Sequence, residues 1–241
     1  MVEVFSGEGR LGRAFARRGF QVVLWDVRNG DQFDLTRPSN VRALLRLCRG
    51  AHFVHLAPPC SSFSIARGAN APRSRAYPMG KPELGDSDRA KVQVGNMLVK
   101  VCIQVVHQQS TLQRAWSLEQ PKTSRMWLCP PLTRALLRCG ARSVTTCFCA
   151  WGTAWRKDAT FAYGGCPRLA SLGRTCSSRD GRCQHSQHKH QVLQGNGPGG
   201  KPWTLIAQPY PSRLCRAFAA AVEQHFIARF IRELDSGRKA F

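Results

Sequence analysis

Short apolar runs alternate with stretches of helical periodicity along most of this chain, and the runs end in glycine or proline turns. Val2–Phe5 reads as a strand, Ser6-Gly7-Glu8-Gly9 as a tight turn, and Leu11, Ala14 and Phe15 repeat at helical spacing. Gln21–Asp26 is a second strand. A helix starts at Pro38-Ser39-Asn40, carries Leu44, Leu45 and Cys48 on one face and stops at Gly50. Phe53–Leu56 is a third apolar run, closed by Pro58-Pro59. Asp86-Ser87-Asp88 can cap the next helix, whose apolar stripe is Val94, Met97, Leu98, Val101 and Val105. Ala115–Glu119 reads as a strand and Leu132–Cys139 as a short helix. Ser143–Ala150 and Thr160–Tyr163 are placed as in a hairpin, and Pro211 opens a last helix. Strands alternating with helices predict an α/β fold with a mainly parallel sheet and helices on both faces.

Charge narrows the partner. The 241 residues carry 36 Lys and Arg against 14 Asp and Glu, a formal net charge of +22, and 28 of the basic residues are arginine. Arginine forks match phosphate geometry, so a polyanion is expected, most simply nucleic acid; a solvated basic surface has the same composition. No apolar run approaches the ~18 residues that span a bilayer, and no charged and apolar leader opens the chain. Eleven cysteines in a chain of this kind fit a reduced compartment better than a disulfide scaffold. The expected location is intracellular: the nucleus in a eukaryote, otherwise the cytoplasm.

Three segments carry candidate chemistry. The glycines of Phe5-Ser6-Gly7-Glu8-Gly9 let backbone approach a ligand, and Asp26 at the end of the next strand can hold ribose hydroxyls; a tight strand-to-helix turn alone explains the same glycines. In Leu56-Ala57-Pro58-Pro59-Cys60-Ser61, a cysteine follows a strand and two prolines, which places it at the carboxyl edge of the sheet on a stiff turn. Glu119, in Ser117-Leu118-Glu119-Gln120-Pro121, closes another strand and reaches the same edge as a candidate acid or hydrogen-bond partner.

In this order, these segments resemble the cytosine-5 DNA methyltransferase family, as a short and divergent member. Phe5–Gly9 resembles its cofactor motif, Pro58-Pro59-Cys60 with Phe63-Ser64 its nucleophile motif, and Glu119-Gln120-Pro121 its Glu-Asn-Val motif. Trp151–Lys157 resembles the turn that carries its Gln-x-Arg-x-Arg motif. The resemblance implies a Rossmann-like S-adenosylmethionine-dependent methyltransferase fold. It implies that Cys60 attacks carbon-6 of a cytosine, that Glu119 contacts ring nitrogen 3 and the exocyclic amine, and that Lys157 stands beside them. S-adenosyl-L-methionine would lie against Phe5, Ser6, Gly7, Gly9, Asp26, Val27 (or Trp25) and Pro58, with Asp34 at the adenine amine. Ser61, Arg67, Arg73, Arg75 and Arg156 would contact nucleic acid, those of the basic loop 64–92 through phosphates. Ser61 stands for the usual Gln, Gln120 for Asn, and Lys157 and Ala159 for the two arginines.

Residues 1–163 and 203–241 would form the catalytic domain, with 164–202 inserted as a small irregular recognition lobe. That lobe holds Arg168, Arg174, Arg179, Arg182, Lys189 and Lys201, which can meet DNA. Cys166, Cys176, Cys183 and His188 are its candidate zinc ligands, although their spacing matches no standard finger; a flexible basic loop is the other reading. The very short first strand is the pattern of a module cut from a longer chain. The expected activity is methylation of cytosine in DNA by a monomer. RNA as substrate and an inactive nucleic-acid-binding relative are the alternatives. A dinucleotide-dependent dehydrogenase is remote, because Ser6–Gly12 lacks G-x-G-x-x-G.

Overall fold

A computed structural model describes residues 1–178 and 180–236, which leaves Arg179 outside the description. Six strands form one sheet: β1 (Val2–Val4), β2 (Val23–Trp25), β3 (Phe53–Leu56), β4 (Ala115–Pro121), β5 (Arg142–Cys147) and β6 (Asp158–Gly164). Their order is β2-β1-β3-β4-β6-β5. The first four run parallel, while β6 is antiparallel to both β4 and β5. The helices are α1 (Arg10–Ala16), α2 (Pro38–Gly50), α3 (Asp86–Thr111), α4 (Pro130–Arg138), α5 (Trp203–Ile206) and α6 (Ser212–Asp235). This is a mixed α/β architecture compatible with a Rossmann-like fold. No helix among the described residues is long and apolar enough to cross a membrane.

The central strands are buried on both faces, as parallel strands under helices must be. In β3, Val54 and Leu56 point into a core shared with Leu44 and Cys48 of α2, Val99, Cys102 and Val106 of α3, and Leu132 of α4. Phe53 points the other way, into a second core with Leu11 and Phe15 of α1 and Leu214, Phe218 and Val222 of α6. There Phe53 lies 5.6 Å from Phe15 and 5.8 Å from Phe218, and Phe161 lies 5.5 Å from Phe218, ring centre to ring centre. Truncating one of these rings to alanine costs about 3–5 kcal/mol.

The stripe of α3 holds in its second half and shifts in its first. Val101 and Val105 are buried as expected, while Val94 and Met97 are exposed and Val92, Gly95 and Val99 are buried in their place. Gly95 explains the shift: a Cβ there would lie 2.7 Å from Ser62 Oγ and 2.8 Å from Arg73 Nη2. The segment after Cys60 therefore packs against the first turns of α3 and covers the face that the hydropathy pattern alone assigned elsewhere. Asp86 and Asp88 lie inside the first turn of α3, and the cap is Gly85.

Residues 164–202 divide in two. Leu169 and Leu172 pack into the second core. From 173 to 202, Cys176 and Cys183 are the only buried side chains among the described residues.

Candidate active site at the carboxyl edge

The chain order reverses between β1 and β3: β2 lies on one side of β1, and β3 and β4 lie on the other. Open α/β sheets bind ligands at such a crossing, beyond the carboxyl ends of the strands. Phe5–Gly9 follows β1 there and Pro58–Cys60 follows β3. Glu119 lies one residue beyond Leu118, the register partner of Leu56. Because β6 runs antiparallel from Asp158, its start reaches this same edge and brings Lys157 with it. Cys60, Glu119 and Lys157 thus arrive from three strand ends.

Their charges act on one another. Burial raises the Cys60 thiol above its ordinary range, the charge of Glu119 adds to the rise, and Lys157 opposes it. Burial also raises the Glu119 carboxyl, with the Lys157 charge and a hydrogen bond from Tyr210 pulling it back. The ammonium of Lys157 donates to Ala207 O at 3.0 Å and lies 4.9 Å from the Phe148 ring centre. Both contacts hold the ammonium in place.

Sequence reasoning missed a buried relay behind Glu119. Tyr210 donates its hydroxyl to Glu119 Oε2 at 3.0 Å. His55 Nε2 lies 3.0 Å from that hydroxyl oxygen, and His55 Nδ1 lies 2.7 Å from Ser117 Oγ. Since the Tyr210 proton goes to Glu119, Nε2 carries the imidazole hydrogen and Ser117 donates to Nδ1. Burial lowers His55 to about 3, so the ring is neutral. The signal in the sequence was a histidine inside the apolar run Phe53-Val54-His55-Leu56. Its partners lie 62 and 155 residues away, beyond any local pattern.

Two further contacts fix the position of Cys60. Gln120 Nε2 donates to Pro58 O, and Ser124 donates to Gln120 Oε1 at 2.9 Å. The stiff turn before Cys60 is thereby tied to the strand that carries Glu119.

The loop after Cys60 requires a correction. Arg73, expected at a phosphate, is 2% exposed. Its guanidinium donates to Pro78 O (2.7 Å), Asn96 Oδ1 (2.8 Å), Val92 O (3.1 Å) and Ser62 Oγ (3.2 Å), and lies 3.8 Å from the Phe63 ring centre. A basic loop reads as a solvated one, but these acceptors converge on this arginine and turn it into an internal strut. Ser61, Arg67, Arg75 and Arg156 are exposed; Arg67 makes a paired contact with Asp88 at 2.7 and 3.0 Å.

At the β1 turn, Phe5, Gly7 and Gly9 all have positive φ, 61°, 57° and 63°. Glycine adopts this freely; phenylalanine does so rarely outside constrained sites. Ser6 and Pro58 are buried beside it. Asp26 accepts from Gly7 N at 2.7 Å and from Arg28 N and Nε at 3.0 Å. It still has a lone pair for a hydroxyl, and Arg28 is half-exposed and able to swing clear. These residues fit the ribose of a nucleoside cofactor. Asp34 accepts at Oδ1 from Thr36 N at 2.9 Å and Thr36 Oγ1 at 2.7 Å. Val27 is exposed at the rim.

A second cluster lies on the β5–β6 side. Cys149, Cys176, Cys183 and His190 place their ligand atoms within 4.8 Å of one another, a buried group that can hold a metal ion. This corrects two of the four expected ligands. Cys166 is buried in the second core beside Leu169 and Leu172. His188 contributes its backbone oxygen, which accepts from Cys183 N at 2.8 Å. The replacements are Cys149, from the turn after β5, and His190.

No protein-family model matches this sequence, and no curated protein sequence matches it.

Proposed function

We propose that the protein methylates carbon-5 of cytosine in DNA through a covalent bond to Cys60. What supports this reading is the meeting of a thiol, a carboxyl of raised pKa and a fixed ammonium at a topological switch point, beside a left-handed glycine turn and a carboxylate. Phe5, Ser6, Gly7, Gly9, Asp26 and Pro58 would hold S-adenosyl-L-methionine, which supplies an electrophilic methyl group. A structural zinc ion in the Cys3His group would be the second cofactor.

Cys60 Sγ, as thiolate, forms a bond to carbon-6, and the electron pair of the carbon-5–carbon-6 double bond moves to carbon-5 and the ring. Glu119, its carboxyl raised by burial, contacts ring nitrogen 3 and the exocyclic amine as charge builds in the ring, and Tyr210 and Lys157 steady that carboxyl. After methylation, loss of the carbon-5 proton to base expels Cys60 and restores the ring. Splitting a difficult substitution in this way is nucleophilic catalysis. In duplex DNA the base must leave the stack, at a cost of a few kcal/mol, and exposed Arg67, Arg75 and Arg156 can hold the opened strand by its phosphates.

The deciding experiment is transfer of labelled methyl groups to mixed DNA and RNA, with Cys60→Ala in parallel. Label on carbon-5 of cytosine, absent with the variant, is expected, and DNA should be the labelled polymer. Label in RNA alone would replace the substrate. Nucleic-acid binding without label would make the protein an inactive relative.

A further inference from the structure

We infer that Cys149, Cys176, Cys183 and His190 bind one zinc ion in a closed tetrahedral site that holds residues 174–191 against the β5–β6 turn. Three thiols and an imidazole are the donor set that favours zinc. Zn–S bonds of about 2.3 Å and Zn–N bonds of about 2.1 Å at tetrahedral angles put sulfur about 3.6 Å from nitrogen. Cys176 Sγ lies 3.8 Å from His190 Nε2, so the ligands already stand close to the required spacing. Four protein ligands leave no open position, which is the mark of a structural centre.

Burial argues in the same direction. Across 173–202 the only buried side chains among the described residues are Cys176 and Cys183, both ligands. A segment with no apolar core gains little from the hydrophobic effect, and metal binding can supply its folding free energy. The backbone is arranged to deliver the donors. Cys183 and His190 sit in a small hairpin closed by His190 N to Gly181 O at 2.9 Å. Cys176 is brought to the end of β5 by Cys147 N to Arg174 O at 2.7 Å. A fourth cysteine, Cys147, lies beside the group but its thiol donates to Asp158 Oδ1 at 2.8 Å, and its sulfur accepts from Cys176 N at 3.1 Å. It supports the ligand loop rather than joining it.

The site reaches the rest of the molecule through short links. Gln191 N donates to Ala154 O at 2.8 Å, and Phe148 N donates to Lys157 O at 2.9 Å. A zinc ion held by Cys149 and His190 therefore braces the turn 148–157 at two points. The binding claim stands apart from the methyl-transfer reading, because its test needs no activity.

Elemental analysis of the full chain, purified under reducing conditions without added chelator, should find about one zinc per chain. Cobalt in its place should give a thiolate charge-transfer band and strong visible absorption typical of tetrahedral geometry. Cys149→Ser and His190→Ala should lose the metal, while Cys166→Ala and His188→Ala keep it. Chelation should open 177–192 to limited proteolysis. No bound metal, iron in place of zinc, a disulfide among Cys149, Cys176 and Cys183, or full retention in Cys149→Ser and His190→Ala would each overturn the assignment.

Discussion

The Tyr210 hydroxyl donates to Glu119 Oε2 at 3.0 Å, across 91 residues of chain. The loop that leads into the last helix therefore closes on a carboxyl near the end of β4. Tyr210→Phe removes that donor and leaves the buried His55 Nε2 hydrogen without its acceptor. The expected loss of stability is about 1–3 kcal/mol, with the Glu119 carboxyl rising further because a lowering influence has gone. Urea unfolding and the acid limb of the methyl-transfer pH profile read the two effects separately; unchanged behaviour in both would remove the relay.

The reactivity of Cys60 reports the charges around it. Its alkylation by iodoacetamide should have a midpoint above the ordinary thiol value of 9. Glu119→Gln removes a negative neighbour, so the midpoint should fall. Lys157→Gln removes a positive one, so it should rise. Shifts of the same sign in both variants would show that the three groups do not share one site.

Arg73 and Arg75 separate structure from contact. Arg73→Met deletes the four hydrogen bonds of a buried guanidinium, and bonds from charged groups contribute about 1.5–3 kcal/mol each in favourable cases. Thermal stability should fall substantially. The salt dependence of DNA binding by the folded fraction should stay as it was. Arg75→Ala should leave stability within about 0.5 kcal/mol and reduce the log–log salt slope by about 0.9 on duplex DNA. Binding that is flat in salt would sink the phosphate role of this loop.

Glu3 sets a stability window. Burial raises its carboxyl from the ordinary 4.5 to about 7, although Gly12 N donates to it at 2.7 Å. Below pH 4.5 folded and unfolded chains both hold this proton. Between 4.5 and about 7 only the folded chain does, so stability falls as pH rises, by about 1.4 kcal/mol per unit; above about 7 the loss levels off. Glu3→Gln, which keeps an acceptor for Gly12, should lack this decline. Equal slopes for wild type and variant between pH 5 and 7 would place the Glu3 pKa in the ordinary range.

The edge residues were legible because local chemistry announces them. Pro58-Pro59-Cys60 fixes a cysteine at a strand end, and Glu119 ends an apolar run. The sheet and most helix limits followed from periodicity, and Gly50 ends α2 where the pattern stopped. What sequence could not show is convergence. Arg73 became internal because four acceptors surround it, none of them marked by its own neighbours in the chain. The expected ligands Cys166, Cys176, Cys183 and His188 all lie in one lobe, while Cys149 comes from the turn after β5. The first half of the α3 stripe depends on the loop that packs against Gly95.

The last helix closes one face of the sheet: Leu214, Phe218 and Val222 complete the core that also contains Phe15, Phe53 and Phe161. During synthesis these three rings are made first and stay uncovered until residues 212–235 have left the ribosome. The opposite face, covered by α2, α3 and α4, can assemble as it emerges. Until then the nascent chain turns an aromatic surface to water, the kind of exposed apolar face that invites aggregation. The Tyr210–Glu119 contact waits as well, because its two partners are made 91 residues apart.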